Sequence, residues 1–293
     1  MFDVIQQIGS SFIQYGHFNK RIYIMKICEK DLSDVFARIE TILKANKFSK
    51  IFAKIPATLE LYFLKKGFEV EARIPDFYNN QTEVLFISKY LDTQRRIITT
   101  EKSALIKNII VMSNKKSQEV CPVDLPENFY IRKLSEKDTL DLAQLYKKVF
   151  QSYPFPIFNS DYLCATMKKN IIYFGIFNQN DDVVSASSAE MDISSDNVEM
   201  TDFATLPDYR GFSFALMLLI KMEEEMRKKN ITTFYTIARA YSYGMNITFA
   251  RNGYTFCGTL YNNTNISGKI ESMNVWHKFR TIEVSKEDEH ALY

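Results

Sequence analysis

Two carboxylates and a guanidinium mark the stretch of this sequence where chemistry is most legible. Glu199 and Asp202 stand in an apolar, strand-like segment, 198–206. Carboxylates so placed can take up and hold a proton. Strand alternation sends residues three apart to opposite faces unless a bulge intervenes. Directly afterwards, Pro207-Asp208-Tyr209-Arg210-Gly211 reads as a tight turn, and 214–220 as an apolar helix with Ser213 at its N-cap. The first N–H groups of a helix lack internal partners, and the dipole puts about half a positive charge there. A phosphate suits that end, and Arg210 adds a fixed charge beside it. The same residues could form an ordinary strand–turn–helix corner, and one carboxylate could simply pair with Arg210 or Arg239.

The elements that must position these groups are well marked. The helix after Ser213 ends with Arg227, Lys228 and Lys229, then Asn230, which suits the dipole and a left-handed stop. Its first half is apolar on every side and reads as buried. Upstream come a strand at 129–134, a helix at 135–150 opened by a Ser135/Asp138 capping box, a proline-broken segment at 153–157, a helix near 161–169 and three strands. The first part reads as strands within 1–27, helix 32–46, strand 51–55, helix 57–66 closed by Gly67, and strands at 68–74 and 84–90. A helix at 92–112 carries Arg95, Arg96, Lys102 and Lys107, a series expected on a solvated face. Residues 113–128 are polar, hold Pro122 and Pro126, and read as a linker. The expected organisation is an N-terminal α/β domain 1–112, the linker, and a second domain 129–293.

The two parts share landmarks. Phe63-x-x-x-Gly67-Phe68, then Tyr78-Asn79-Asn80 and Lys89, parallel Phe249-x-x-x-Gly253-Tyr254, then Tyr261-Asn262-Asn263 and Lys278. Strand–helix–strand units can look alike by chance. Read as a repeat, the first part is a truncated, cofactor-free copy, because nothing glycine-rich precedes Leu32.

Composition excludes several classes. The chain has 293 residues, 46% hydrophobic and 25% charged, ordinary for a soluble protein. A net charge of +2 offers no field for nucleic acid. No signal peptide or membrane span is legible. Cys28, Cys121, Cys164 and Cys257 form no Cys-x-x-Cys, and the histidines are only His17, His277 and His290. A disulfide framework, a metal site and histidine triads are therefore not expected, and a reduced cytoplasm is.

Arg210-Gly211-Phe212-Ser213-Phe214-Ala215 resembles the Arg/Gln-x-x-Gly-x-Gly/Ala pyrophosphate loop of the GNAT superfamily of N-acetyltransferases, with Ser213 where the family usually has Gly. The resemblance implies an α/β fold with a mixed, splayed sheet flanked by helices, and acetyl-CoA as cosubstrate with its pyrophosphate on those loop amides. It implies a bulge near Glu199 and Asp202 that admits the thioester, main-chain contacts from Ala204 and Thr205 to the pantetheine arm, and an oxyanion N–H near Phe203. Asn246 and Phe249 fall on the helix that packs beside the cofactor in that family. Phe249 stands where the family has its tyrosine acid, and phenylalanine cannot protonate a thiolate. Tyr241 and Tyr243 are nearby substitutes, or the thiolate leaves unassisted, a thiol pKa being about 8.5. A primary ammonium of pKa about 10.4 is neutral in about one part in a few thousand at pH 7, a deficit of roughly 4–5 kcal/mol. Glu199 or Asp202 could take that proton.

A wider set, 199–205, 236–240, 244–246, 262–266 and 271–276, with 51–56 and 74–78, is similar to the β-lysine N6-acetyltransferases over nearly the whole chain. It implies acetyl transfer to the terminal amine of β-lysine in a ternary complex, giving a compatible solute. Tyr153, Glu190, Arg239, Asn263, Glu271 and Asn274 could wall a pocket for that zwitterion, Arg239 offering its fork to the carboxylate. Solvated strand faces would explain the same residues. Lysine, ornithine or a polyamine as acceptor, and a non-catalytic acyl-CoA-binding regulator, are the alternatives. The partner expected is a small amine; a homodimer stays open.

Overall fold

The computed structural model describes residues 3–117 and 123–280; residues 118–122 of the expected linker, Cys121 among them, and His290 lie outside the described residues. In chain order the first half runs β1 (Val4–Ile8), β2 (Ser11–Gly16), β3 (Arg21–Lys26), α1 (Leu32–Ala45), β4 (Lys50–Pro56), α2 (Glu60–Lys65), β5 (Glu69–Tyr78), β6 (Thr82–Tyr90), α3 (Thr93–Arg96) and α4 (Thr100–Lys116). The second runs β7 (Tyr130–Lys133), α5 (Thr139–Val149), α6 (Ser160–Met167), β8 (Ile171–Phe177), β9 (Val183–Asp192), β10 (Asn197–Thr205), α7 (Phe214–Lys228), β11 (Thr233–Arg239), α8 (Tyr243–Arg251), β12 (Thr255–Ile266) and β13 (Lys269–Phe279).

Among the described residues these strands form one mixed sheet in the order β1-β2-β3-β4-β6-β5-β12-β13-β11-β10-β9-β8-β7. The halves meet in the middle, where Gly258 of β12 lies opposite Ala72 of β5. Every residue of β8, Ile-Ile-Tyr-Phe-Gly-Ile-Phe, is buried. Both faces are covered: α7 packs on one through Leu218, Leu219, Met222 and Met226, and α5 on the other through Leu142 and Leu145. Each such side chain removed from water contributes about 1.5–3 kcal/mol. Ile220 departs from the expected all-round burial of α7, with 38% of its surface exposed.

The two halves share several local geometries. Phe68 N–H donates to Phe63 O at 3.2 Å, and Tyr254 N–H to Phe249 O at 3.1 Å. Gly67 and Gly253 stop the two helices with φ of 81° and 82°, where a side chain would be strained. Lys89 and Lys278 each cap their helix end, donating to Lys66 O and Asn252 O at 2.7 Å. β5 breaks register between Ile74 and Tyr78, and β12 between Leu260 and Thr264. Inside those breaks Asp76 and Asn262 take φ of 48° and 43°. By position within these breaks, Asp76 rather than Asn79 corresponds to Asn262. Where α7 follows a glycine turn, α1 follows Asp31, whose carboxylate accepts from Ser10 N–H at 2.7 Å and Ser11 Oγ at 2.9 Å.

The expected helix at 92–112 is two helices, because two caps start it twice. The Asp92 side chain accepts from Gln94 N–H, and Thr99 from Lys102 N–H. Arg95 is not on a solvated face. It is 8% exposed and donates to Asn262 O at 2.6 Å, Ser49 Oγ at 2.9 Å and Asn19 O at 2.9 Å.

Candidate active site

β10 pairs antiparallel with β9 along its length, with a register shift between Thr201 and Ala204. Its parallel pairing with β11 covers only Asn197–Glu199 against Thr233–Tyr235. β11 itself continues to Arg239 against β13. Past Glu199 the parallel strands part, which is the splay the resemblance implied. The shift is the expected bulge: Asp202 takes φ of 56°, and Asp202 and Glu199 line one cavity of about 810 Å³. Ligand pockets commonly have this size. Both halves build the walls: Arg21, Tyr23 and Lys54 come from β3 and β4, Glu190, Glu199 and Asp202 from β9 and β10.

Strand register sets the acids in a row. Glu190 of β9 lies opposite Glu199, and Tyr235 of β11 lies opposite it on the other side. Burial pushes the Glu199 carboxyl up to about 7, with the Glu190 charge pushing the same way and Lys54 opposing. Glu190 is raised by burial and by Asp202, again against Lys54. Asp202 is raised by burial, although its oxygens accept from the hydroxyls of Tyr153 and Ser188. Lys54 Nζ donates to Tyr235 Oη at 3.2 Å. Asp202 is thus held on both oxygens, whereas Glu199 titrates near neutrality, where a general base works best.

The loop after β10 presents main-chain donors. The first bonds of α7 run from Leu216 and Met217 N–H to Ser213 O at 2.9 and 3.1 Å, so the amides of Gly211, Phe212, Ser213, Phe214 and Ala215 precede them. Arg210 and Gly211 are exposed, and a Cβ built on Gly211 would meet no atom within 4 Å. Contrary to the expectation from sequence, Ser213 does not cap with its hydroxyl. It takes φ of 60° with no side-chain cap bond, the left-handed conformation that explains a glycine preference here. A pyrophosphate fits this turn: open amides, no obstructing side chain, and a cation beside them.

Arg239 lines the cavity, whereas Glu271, Asn246 and Asn274 do not. Arg239 clasps Glu271 with Nε and Nη2 at 2.9 and 3.0 Å, so its fork is already filled by a carboxylate that is 1% exposed. Asn246 is buried. It accepts from Asn274 Nδ2 at 2.8 Å and Trp276 Nε1 at 2.9 Å, and donates to Arg239 O and Ser242 O. Asn274 also takes the Thr259 hydroxyl. These bonds position β13 against α8. Tyr241 does not line the cavity; Phe249, Phe203, Tyr153 and Asn263 do. Lys54, Tyr235, Tyr23 and Arg21 were missed. A lysine inside the apolar run Ile51-Phe52-Ala53-Lys54-Ile55 was the available signal.

A sheet splayed at a bulged acidic strand, followed by a turn of open amides, is the arrangement that the resemblance to the GNAT-type N-acetyltransferases implied. A scan against family models finds no match. The chain is 40% identical to the β-lysine N6-acetyltransferase of Methanococcus maripaludis over 275 residues, covering 94% of this chain and 98% of that one. It is 32% identical to the N-acetyltransferase YodP of Bacillus subtilis, covering 92% and 96%. Among solved structures, the ribosomal-protein-S18-alanine N-acetyltransferase of Escherichia coli is similar over 54% of this chain and 97% of its own, at 14% identity and TM-score 0.46. The chain belongs to the β-lysine N6-acetyltransferase family and is an acyltransferase.

Proposed function

We propose that the protein moves the acetyl group of acetyl-CoA to the N6 amine of β-lysine in a ternary complex. The carrying observation is the row of Glu190, Glu199 and Asp202 on a cavity reached from the split between β10 and β11. Acetyl-CoA supplies the activated acyl group, its pyrophosphate on the amides at 211–215 beside Arg210, with Ala204, Thr205 and the Phe203 N–H along its arm. The acid row anchors the ammonium. Glu199 takes its proton, and Asp202, fixed by Tyr153 and Ser188, keeps the bulge aimed at the reacting centre. Phe249 gives the leaving thiolate no proton, a thiol is weakly basic enough to leave without one, and the second proton lost from the acylated nitrogen passes to the departed thiolate or to water. No metal enters this scheme. The product carries an amide where the substrate had a cation, so it has no net charge, as suits a compatible solute in the cytoplasm. We also read 1–112 as a second, cofactor-free copy of the half at 129–293, joined through 113–128.

Thiol release measured with β-lysine, lysine and ornithine in parallel tests this reading. β-Lysine is expected to exceed the others at least roughly tenfold in kcat/KM, since a pocket separates such analogues where its polar groups go unpaired. Acetyl-CoA binding without turnover of any amine would establish a regulator instead.

A further inference from the structure

The cavity has a second end, built by the N-terminal half. Arg21 on β3 lines it and is 4% exposed. Its hydrogen bonds run from Nη1 alone, to Asn263 O at 2.7 Å and Thr264 Oγ1 at 3.1 Å. Its Nε is buried with no partner. No carboxylate pairs with it among the described residues; the rings of Tyr23 and Phe52 lie 5.2 and 5.5 Å from the guanidinium carbon. Burial lowers its pKa only to about 10, so it stays charged. Asn263 Oδ1, on the same wall, is also buried and unpartnered.

A buried cation with no carboxylate paired to it is unstable unless something answers its charge; Asp3 attracts Arg21 without an ion pair, and Arg95 repels it. The neighbouring cations are already answered: Arg239 by Glu271, and Lys50 by Glu71 at 3.0 Å. Lys54 faces Glu190 and Glu199, the acids whose pKa values it lowers. Of these, Arg21 is the cavity-lining cation with a guanidinium N–H, Nε, left without a partner, and a guanidinium can take a carboxylate in two parallel bonds. Tyr23 lines the same cavity beside Arg21 and also feels the charges of Glu199 and Glu190.

We propose that Arg21, from the N-terminal half, binds the carboxylate of the amino-acid substrate, while Asn263 Oδ1 accepts from the ammonium beside it. This rests on the acceptor reading above and gives the N-terminal half a part in recognition, holding the head of a molecule whose tail is acetylated by the other half. The polarity follows from the strands, cation on β3 and acids on β9 and β10, so a long amino acid can enter in one orientation only.

The test compares β-lysine with 1,4-diaminopentane, which is β-lysine without its carboxylate. The wild-type protein is expected to favour β-lysine by roughly 30- to 3,000-fold in kcat/KM, the range for removing one partner of a buried charge pair. Arg21→Met should lose a similar factor for β-lysine, mainly through KM, yet stay within about threefold for the diamine, with Arg21→Lys recovering part of the loss. Equal losses for both substrates would reduce Arg21 to a fold-supporting residue. A wild-type ratio near one, or no loss in Arg21→Met, would also overturn the proposal. Melting temperature and acetyl-CoA affinity check folding; if Arg21→Met does not fold, the wild-type ratio and Arg21→Lys decide. Should lysine or ornithine prove the better acceptor, the β-lysine reading fails while this one is decided by the same ratio, using that amino acid and its decarboxylated amine.

Discussion

Replacing Glu199 with Gln keeps the side chain's shape and removes its proton acceptor. The wild-type carboxyl titrates at about 7. An ammonium can therefore bind with its proton and give it up inside the site. kcat/KM should rise tenfold per pH unit below about 7 and level off above it. In Glu199→Gln the amine must arrive neutral, a form present at about one part in a few thousand at pH 7. The variant should fall by about 10²–10⁴ at pH 7. Its deficit should then shrink about tenfold for each unit of pH toward the amine pKa near 10.4. Stability provides an independent reading. A carboxyl whose folded pKa is raised from 4.5 to about 7 costs nothing below 4.5, where both states are protonated, and costs most above 7. At 1.36 kcal/mol per unit the full penalty is on the order of 3 kcal/mol. Glu199→Gln should thus melt higher than wild type at pH 8 and equally at pH 4. Thiol-release kinetics and thermal melts across pH supply both readouts. A variant within threefold of wild type at pH 7, or a wild-type profile still climbing from pH 7 to 9, would refute the assignment of Glu199 as base.

Ser213→Gly should stabilise the protein by up to about 1 kcal/mol in urea melts, because φ of 60° strains any side chain, and should leave the KM for acetyl-CoA within about threefold. Asn246→Ala should cost about 2–5 kcal/mol, since it orphans the buried Trp276 Nε1–H and Asn274 amide. Acetyl-CoA affinity measured below the melting range should barely change, in contrast to a cofactor-binding asparagine.

What could be read in the sequence was what the chain decides locally. The turn at 207–211, the helix start at Ser213 and the stops at Gly67 and Gly253 depend on neighbours within a few residues, whereas the bulge at Asp202 came only with the family resemblance. The charged residues depended on partners far along the chain, and there the reading failed. Arg95 looked solvated because its acceptors sit on Asn262 and Asn19; that Arg239 is clasped by Glu271 was hidden because Glu271 lies on another strand. Lys54 and Arg21 went unnoticed for the same reason: nothing near them in sequence shows that β3 and β4 fold over acids on β9 and β10.

The strand contact at Gly258 has a practical bearing on any attempt to shorten this protein. Its φ of 151° and the crowding of any Cβ there against Glu71 and Ala72 leave room for glycine only. At that junction each half hides the raw hydrogen-bonding rim of its sibling. A gene trimmed to residues 123–280 would expose β12 as a bare template for pairing with strangers. Such a fragment is expected to clump in the cell even with every acid of its pocket intact.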